Sequence, residues 1–217
     1  MNRMERKAMA RRVAQDIPDG AVVNLGIGLP TLVADCLPAD REIILQSENG
    51  LIGMGPAPLA GQEDPDLINA GKQPVTLLPG GAFFHHGDSF AMMRGGHIDI
   101  CVLGAFQVAT NGDLANWHTG APDAIPAVGG AMDLAVGARQ TFVMMDLMSR
   151  DGACKLVERC TYPLTGLACV SRVYTDLAIF SLEQGRARVT EMVAGLELAE
   201  LGRMTGLSLI DGREEAC

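Results

Sequence analysis

Ile43-Ile44-Leu45-Gln46-Ser47-Glu48-Asn49-Gly50 runs from an apolar, β-branched stretch into a glutamate and a glycine turn, and Gly53-Met54-Gly55-Pro56 follows. A short apolar run bounded by turn formers predicts a strand buried on both faces, the kind found in parallel sheets. Open α/β sheets build their sites at the carboxyl ends of such strands. Glu48 therefore stands where a carboxylate could attack an acyl thioester. Flanking glycine N–H groups, with no Cβ in the way, could approach the oxyanion that develops. Taken alone, the same residue also reads as a capping acid, so the rest of the chain has to decide.

Upstream, Ala21-Val22-Val23-Asn24-Leu25 reads as a second buried strand entering Gly26-Ile27-Gly28, after a first helix and the turn Pro18-Asp19-Gly20, with a short helix from about Pro30 beyond it. Downstream of Glu48 a glycine and proline loop continues through Pro58. Further strands are predicted over 74–78, 98–103 and 140–145. Helices fall over 89–94, with Asp88 as its cap, and from about Asp133. This alternation predicts an α/β fold, a single layered domain over 1–217 around a mainly parallel sheet. From Cys169 onward the texture changes. Strands over 178–182 and 187–193, joined across Gln184-Gly185, predict an antiparallel C-terminal hairpin, and a helix over 197–204 follows.

With 48% apolar residues in 217, the chain can fill a continuous core. A net charge of −9 leaves no basic stripe for phosphate backbones, which disfavours nucleic acid as a partner and draws attention to single cations such as Lys72 and Arg94. Cys36, Cys101, Cys154, Cys160, Cys169 and Cys217 show no C-x-x-C pair and are expected as reduced thiols. Residues 1–16 lack an unbroken apolar core and no later run reaches membrane length, so a cytoplasmic protein with no membrane association is expected.

Several constellations compete with Glu48. Gly26-Ile27-Gly28-Leu29-Pro30-Thr31, with Glu48 twenty residues after Gly28, imitates a dinucleotide fingerprint, but Thr31 takes the place of the third glycine and Leu37-Pro38 ends the helix early. His85-His86-Gly87-Asp88, with His97, Asp99 and His118, suggests a metal. Adjacent histidines on an extended segment point to opposite faces, however, so no metal is assigned. No G-x-S-x-G nucleophile elbow occurs. Gly129-Gly130-Ala131-Met132-Asp133-Leu134 is a glycine turn before a helix; its N–H groups could form an oxyanion hole while Asp133 caps. Trp117, the sole tryptophan, reads as a packed anchor at a pocket rim.

Asn24-Leu25-Gly26-Ile27-Gly28, Ser47-Glu48-Asn49-Gly50, Ile68-Asn69-Ala70-Gly71-Lys72 and the run Ser89 to His97 together resemble the B subunit of 3-oxoacid CoA-transferases. Gly112 to Trp117, Gly129 to Leu134 and Tyr162-Pro163-Leu164-Thr165-Gly166 extend the resemblance over nearly the whole chain in order. It implies the layered α/β fold of that family, with Glu48 as covalent nucleophile and Gly129 giving its backbone N–H to the oxyanion. Asn24, Lys72 and Asn116 would contact CoA. It implies CoA and acyl-CoA as substrates, with no permanently bound cofactor. It also implies an A-subunit partner in an A2B2 heterotetramer, with active sites at the A–B junction. Phe83-Phe84-His85-His86 and Trp117-His118-Thr119-Gly120-Ala121 are similar to the 3-oxoadipate branch, which takes CoA from succinyl-CoA. His85, His86 and His118 are then candidates for the substrate's second carboxylate. An acetoacetate transferase is the alternative; a catalytically silent partner subunit is the reading from a different class, disfavoured by the intact Glu48.

Overall fold

The computed structural model describes residues 2–121, 123, 125, 126 and 129–213. In chain order the elements are α1 (Arg6–Gln15), β1 (Val22–Leu25), a 3₁₀ helix (Leu29–Cys36), β2 (Ile44–Ser47), β3 (Leu51–Met54), β4 (Leu77–Phe83) and α2 (His86–Arg94). Next come β5 (Ile100–Leu103), β6 (Gln107–Ala109), β7 (Leu114–Ala115), α3 (Ala131–Gly137), β8 (Gln140–Met144) and β9 (Leu156–Val157). The chain continues through β10 (Val170–Tyr174), β11 (Ala178–Glu183), β12 (Arg186–Met192), α4 (Leu198–Thr205) and β13 (Ile210–Asp211). The main sheet has the order β13-β12-β11-β10-β8-β5-β1-β2-β3-β4, and β7-β6-β9 forms a second, small sheet.

The centre of the main sheet, β10-β8-β5-β1-β2, is parallel throughout, and antiparallel pairs flank it on both sides. Its inner strands are largely apolar because both faces are covered, β5 (Ile100-Cys101-Val102-Leu103) being apolar and buried throughout. Ile100 and Val102 of β5, with Phe142 and Met144 of β8, pack on the face that holds α1 and the 3₁₀ helix. Their neighbours Cys101, Leu103, Val143 and Met145 join Met93, Leu134 and Leu156 on the other face. The period of two along each strand thus divides one apolar run between two cores. Helix α1 contributes Met9, Ala10, Val13 and Ala14 as a single buried stripe.

The expected C-terminal hairpin is present. Glu183 faces Arg186 across the Gln184-Gly185 turn.

Other local expectations are corrected. The loop after Glu48 contains β3, which returns antiparallel along β2 with Ser47 opposite Leu51. The strand placed over 74–78 lies instead at Leu77–Phe83, because its partner β3 pairs Met54 with Leu77 and Leu51 with Phe83. The helix from Pro30 is 3₁₀. His85 rather than Asp88 caps α2, its ring accepting the Gly87 N–H at 3.0 Å. Helix α3 starts at Ala131 after Gly130, so Asp133 lies in its first turn and not at its cap. Cys36, Cys101, Cys154, Cys160 and Cys169 are free thiols, of which only Cys101 is fully buried; Cys217 lies outside the described residues. No described helix is long and apolar enough to cross a membrane.

Candidate active site

Glu48 is the first residue of the three-residue turn joining β2 to β3. The Gly50 N–H donates to the Ser47 carbonyl at 3.1 Å and closes the turn. Gly50 has φ +104°, and a Cβ there would lie 2.2 Å from the Phe84 carbonyl oxygen, so only glycine fits. The segment after Ile68 clamps the same turn from outside. Asn49 Nδ2 donates to the Ile68 carbonyl at 2.8 Å, and the Ala70 N–H donates to Ser47 Oγ at 3.0 Å.

Beneath Glu48 lies a buried polar chain. Asn24 Nδ2 donates to the carbonyl and side-chain oxygens of Gln46, Gln46 Nε2 donates to Ser89 Oγ, and Ser89 Oγ donates to the Ser47 carbonyl at 3.3 Å. It ties β1, β2 and α2 together directly below the carboxylate. Ser89→Ala leaves the Gln46 amide without its acceptor. It is expected to cost about 2 kcal/mol in denaturant unfolding and to lower kcat several-fold; an unfolding midpoint equal to wild type would refute the role given to this chain.

The carboxyl group of Glu48 is half-buried between the N-terminal ends of α2 and α3. Burial raises its pKa above the ordinary glutamate value; the charge of His86 and the backbone amide of Gly130 pull it down, and Asp133 adds a smaller upward push. Arg94 holds Asp133 at 2.6 Å and covers the ring of Phe90. Phe90 in turn stacks with His86 at 4.8 Å between ring centroids. A Cβ built on Gly130 would lie 2.1 Å from Glu48 Oε2, so the backbone at this point is in contact with the carboxylate. The resulting group is a poorly hydrated carboxylate with an N–H at hand, which suits attack on a carbonyl carbon.

A cleft of 790 Å³ opens over the carboxyl ends of β2, β1, β5 and β8, with Glu48 in its wall. Its size is in the range of small-molecule sites. The structure brings Asn24, Asn116 and Gly129 into that wall with Glu48. Asn116 is also a structural link: its Nδ2 donates to the Gly104 carbonyl at 3.0 Å and its Oδ1 accepts from Thr165 Oγ1 at 2.6 Å. Lys72 stands apart, on the exposed tip of the turn that puts Ala70 and Gln73 into the wall, with φ +61°. None of the three histidines lines the cleft. His86 reaches Glu48 through its charge, His85 is engaged as a helix cap, and the His118 ring accepts the Gly120 N–H at 2.9 Å beside Trp117.

Residues 6–196 match the family model described as coenzyme A transferase. This chain belongs to the coenzyme A transferase family. It is 62% identical to the 3-oxoadipate CoA-transferase B subunit of Acinetobacter baylyi over 213 residues, 98% of each chain. It is 64% identical to the protein of the same name from Pseudomonas putida over 208 residues, 96% of this chain and 97% of that one. In fold, the acyl-CoA transferase YdiF apoenzyme of Escherichia coli O157:H7 matches 97% of it with a TM-score of 0.73 at 21% identity. The match covers 42% of YdiF, so the chain spans less than half of that longer polypeptide.

In this CoA-transferase chain the polar supports of Glu48 that sequence reasoning missed are the side chains of Gln46 and Ser89. The Gly129-Gly130 pair was visible as a turn, but nothing local says which of the two glycines touches the carboxylate. Missed as well were the cations in the cleft wall, Arg6 and Lys155. The sole signal for Lys155 was a lysine set in the otherwise uncharged run Gly152 to Val157.

Proposed function

We propose that this chain is the catalytic B subunit of a two-subunit transferase that moves CoA from succinyl-CoA to 3-oxoadipate through a glutamyl-CoA thioester on Glu48. The observation that carries the reading is the half-buried Glu48 carboxylate against the Gly130 amide, in the wall of a cleft of small-molecule size. The Glu48 carboxylate attacks the acyl-CoA carbonyl and expels CoA thiolate, leaving a mixed anhydride. The thiolate attacks the glutamyl carbonyl, forms the thioester and releases the donor acid. The acceptor carboxylate then runs both steps backwards, so ping-pong kinetics follow. In each tetrahedral intermediate the glutamyl or acyl oxygen carries the charge; the N–H of Gly130 serves the former, and Gly129, which also lines the cleft, is the proposed donor to the latter.

CoA and its thioesters enter as substrates with no permanent cofactor, and Asn24, Asn116 and Lys72 are the proposed CoA contacts. Lys72, at the exposed tip of its turn, suits a CoA phosphate. Both acyl intermediates must be kept from water, or the cycle becomes hydrolysis. The exposed apolar side chains of Ile27 and Phe106 on the cleft wall, and of Val136 on α3, favour closure by an A subunit, with A2B2 as the proposed assembly. A cytoplasmic setting fits free thiols and small soluble substrates.

Names of relatives at above 60% identity support 3-oxoadipate over acetoacetate. The test is CoA transfer from succinyl-CoA by this chain purified with its A partner. The kcat/KM for 3-oxoadipate is expected to exceed that for acetoacetate at least about 100-fold, which roughly 3 kcal/mol of charge-assisted hydrogen bonding supplies. Parity, or preference for acetoacetate, would reassign the substrate.

A further inference from the structure

The end of the cleft farthest from Glu48 along the sheet edge is formed by Met144, Met145 and Asp146, where β8 ends, together with Lys155 and Arg6. Lys155 is fixed from both sides: its N–H donates to the Leu147 carbonyl at 2.9 Å, and its carbonyl accepts the Val108 N–H at 2.9 Å. Two carboxylates lie near it, and each already has an arginine. Arg6 meets Asp146 at 3.4 Å, and Arg3 meets Asp176 at 2.9 Å. Three cations (Arg3, Arg6, Lys155) against two acids (Asp146, Asp176) leave an excess of one positive charge. Among the described residues the Lys155 ammonium has no hydrogen bond and no ion pair. Burial depresses its pKa despite the favourable charges of Asp146 and Asp176, as expected of an ammonium partly withdrawn from water.

We propose that Lys155, with Arg6 beside it, determines specificity by holding the distal carboxylate of a dicarboxylic acyl group whose reacting carbonyl lies at Glu48. The inference rests on the reading of Glu48 as nucleophile. The dimensions agree with it. β2 and β8 are separated by β1 and β5, three strand spacings or roughly 14 Å. Both side chains reach into the cleft from their ends of this span, which leaves a gap suited to a short diacid. A substrate ending in a methyl group would give the ammonium no hydrogen-bonding partner. The histidines considered from sequence do not line the cleft, so the dicarboxylate requirement falls to these two cations.

The alternative source of an anion here is a phosphate of CoA, and the experiment separates the two. Lys155→Met and Lys155→Arg are made in the complex with the A subunit, and kcat/KM is measured for 3-oxoadipate and acetoacetate against one donor. The ratio of the two is expected to fall about 50-fold in Lys155→Met and to recover most of its value in Lys155→Arg. Equal losses for both acids, as from a lost CoA contact or a loosened β9, leave the ratio unchanged and overturn the proposal, as does a variant indistinguishable from wild type. Calorimetric binding of 3-oxoadipate to the unreacted complex needs no thioester and tests Lys155 even where Glu48 proves not to be the nucleophile. A Kd about 50-fold weaker in Lys155→Met supports the subsite, and an unchanged Kd overturns it.

Discussion

Glu48→Ala should lower kcat by on the order of 10⁴-fold or more, the scale seen when a covalent nucleophile is removed, while the chain is expected still to fold. The reason is chemical. Without the carboxylate there is no acyl anhydride and no place to store the thioester, and water cannot substitute because it would release the acid and dissipate the thioester. Incubation with succinyl-CoA alone should add the mass of CoA less water to wild type and nothing to the variant. Turnover at the wild-type rate would sink the assignment.

Glu48→Gln carries a second signature, in stability. Burial raises the Glu48 pKa, so the folded state holds the proton more tightly than the unfolded chain does. The group stabilises the fold fully below the ordinary glutamate pKa of 4.5. That contribution is lost as pH rises through the raised folded value. The glutamine variant does not titrate, so its Tm relative to wild type should climb across that window and stay level above it. A variant that loses relative Tm over the same window would contradict the buried carboxylate. Over the window in which Glu48 ionises, thioester formation by wild type should switch on, because only the carboxylate attacks.

Gly130→Ala keeps its backbone N–H but should be the next most damaging change, with a fall in kcat on the order of 10²-fold, the scale for displacing a reacting group by about 1 Å. Gly130 has φ −84° and ψ 3°, a negative-φ backbone open to alanine. The added methyl would stand 2.1 Å from Glu48 Oε2, 3.2 Å from its Cδ and 3.4 Å from Phe90 Cζ. The clash falls on the nucleophile and its wall, so activity suffers while the unfolding midpoint stays close to wild type. Gly129→Ala is the control. Its φ of +47° costs alanine about 1 kcal/mol, but among the described residues nothing lies within 4 Å of the new methyl, Glu48 included. Its kcat should fall less than tenfold. Equal effects at the two positions would mean that the turn matters as a whole and that the contact with Oε2 does not.

Legibility of the fold followed burial. β1, β2, β5 and β8 could be read because each is covered on both faces, which makes its sequence predominantly apolar. The hairpin from β11 to β12 could be read because Gln184-Gly185 separates the apolar run of β11 from the alternating polar and apolar residues at the start of β12. β3 and β4 could not. Leu51-Ile52-Gly53-Met54 and Leu77-Leu78-Pro79-Gly80-Gly81-Ala82-Phe83 carry glycine and proline inside the strand, which locally signals a turn. They are strands because they pair with one another at the edge of the sheet, a fact of register that no window of residues contains.

The same division runs through the site. That Glu48 ends a strand and enters a glycine turn was written in the residues from Ile43 to Gly50, because strand, turn and carboxylate are adjacent in the chain. What faces Glu48 was settled by tertiary structure alone. Gly130 and His86 meet it through the packing of α2 and α3 against the sheet. Lys155, more than a hundred residues away, enters the same cleft because the small sheet fixes it beside the end of β8. Local pattern records which residues avoid water. Which strand ends lie side by side is decided by the order of parallel strands, and that order brought a carboxylate, an amide and an ammonium to one edge.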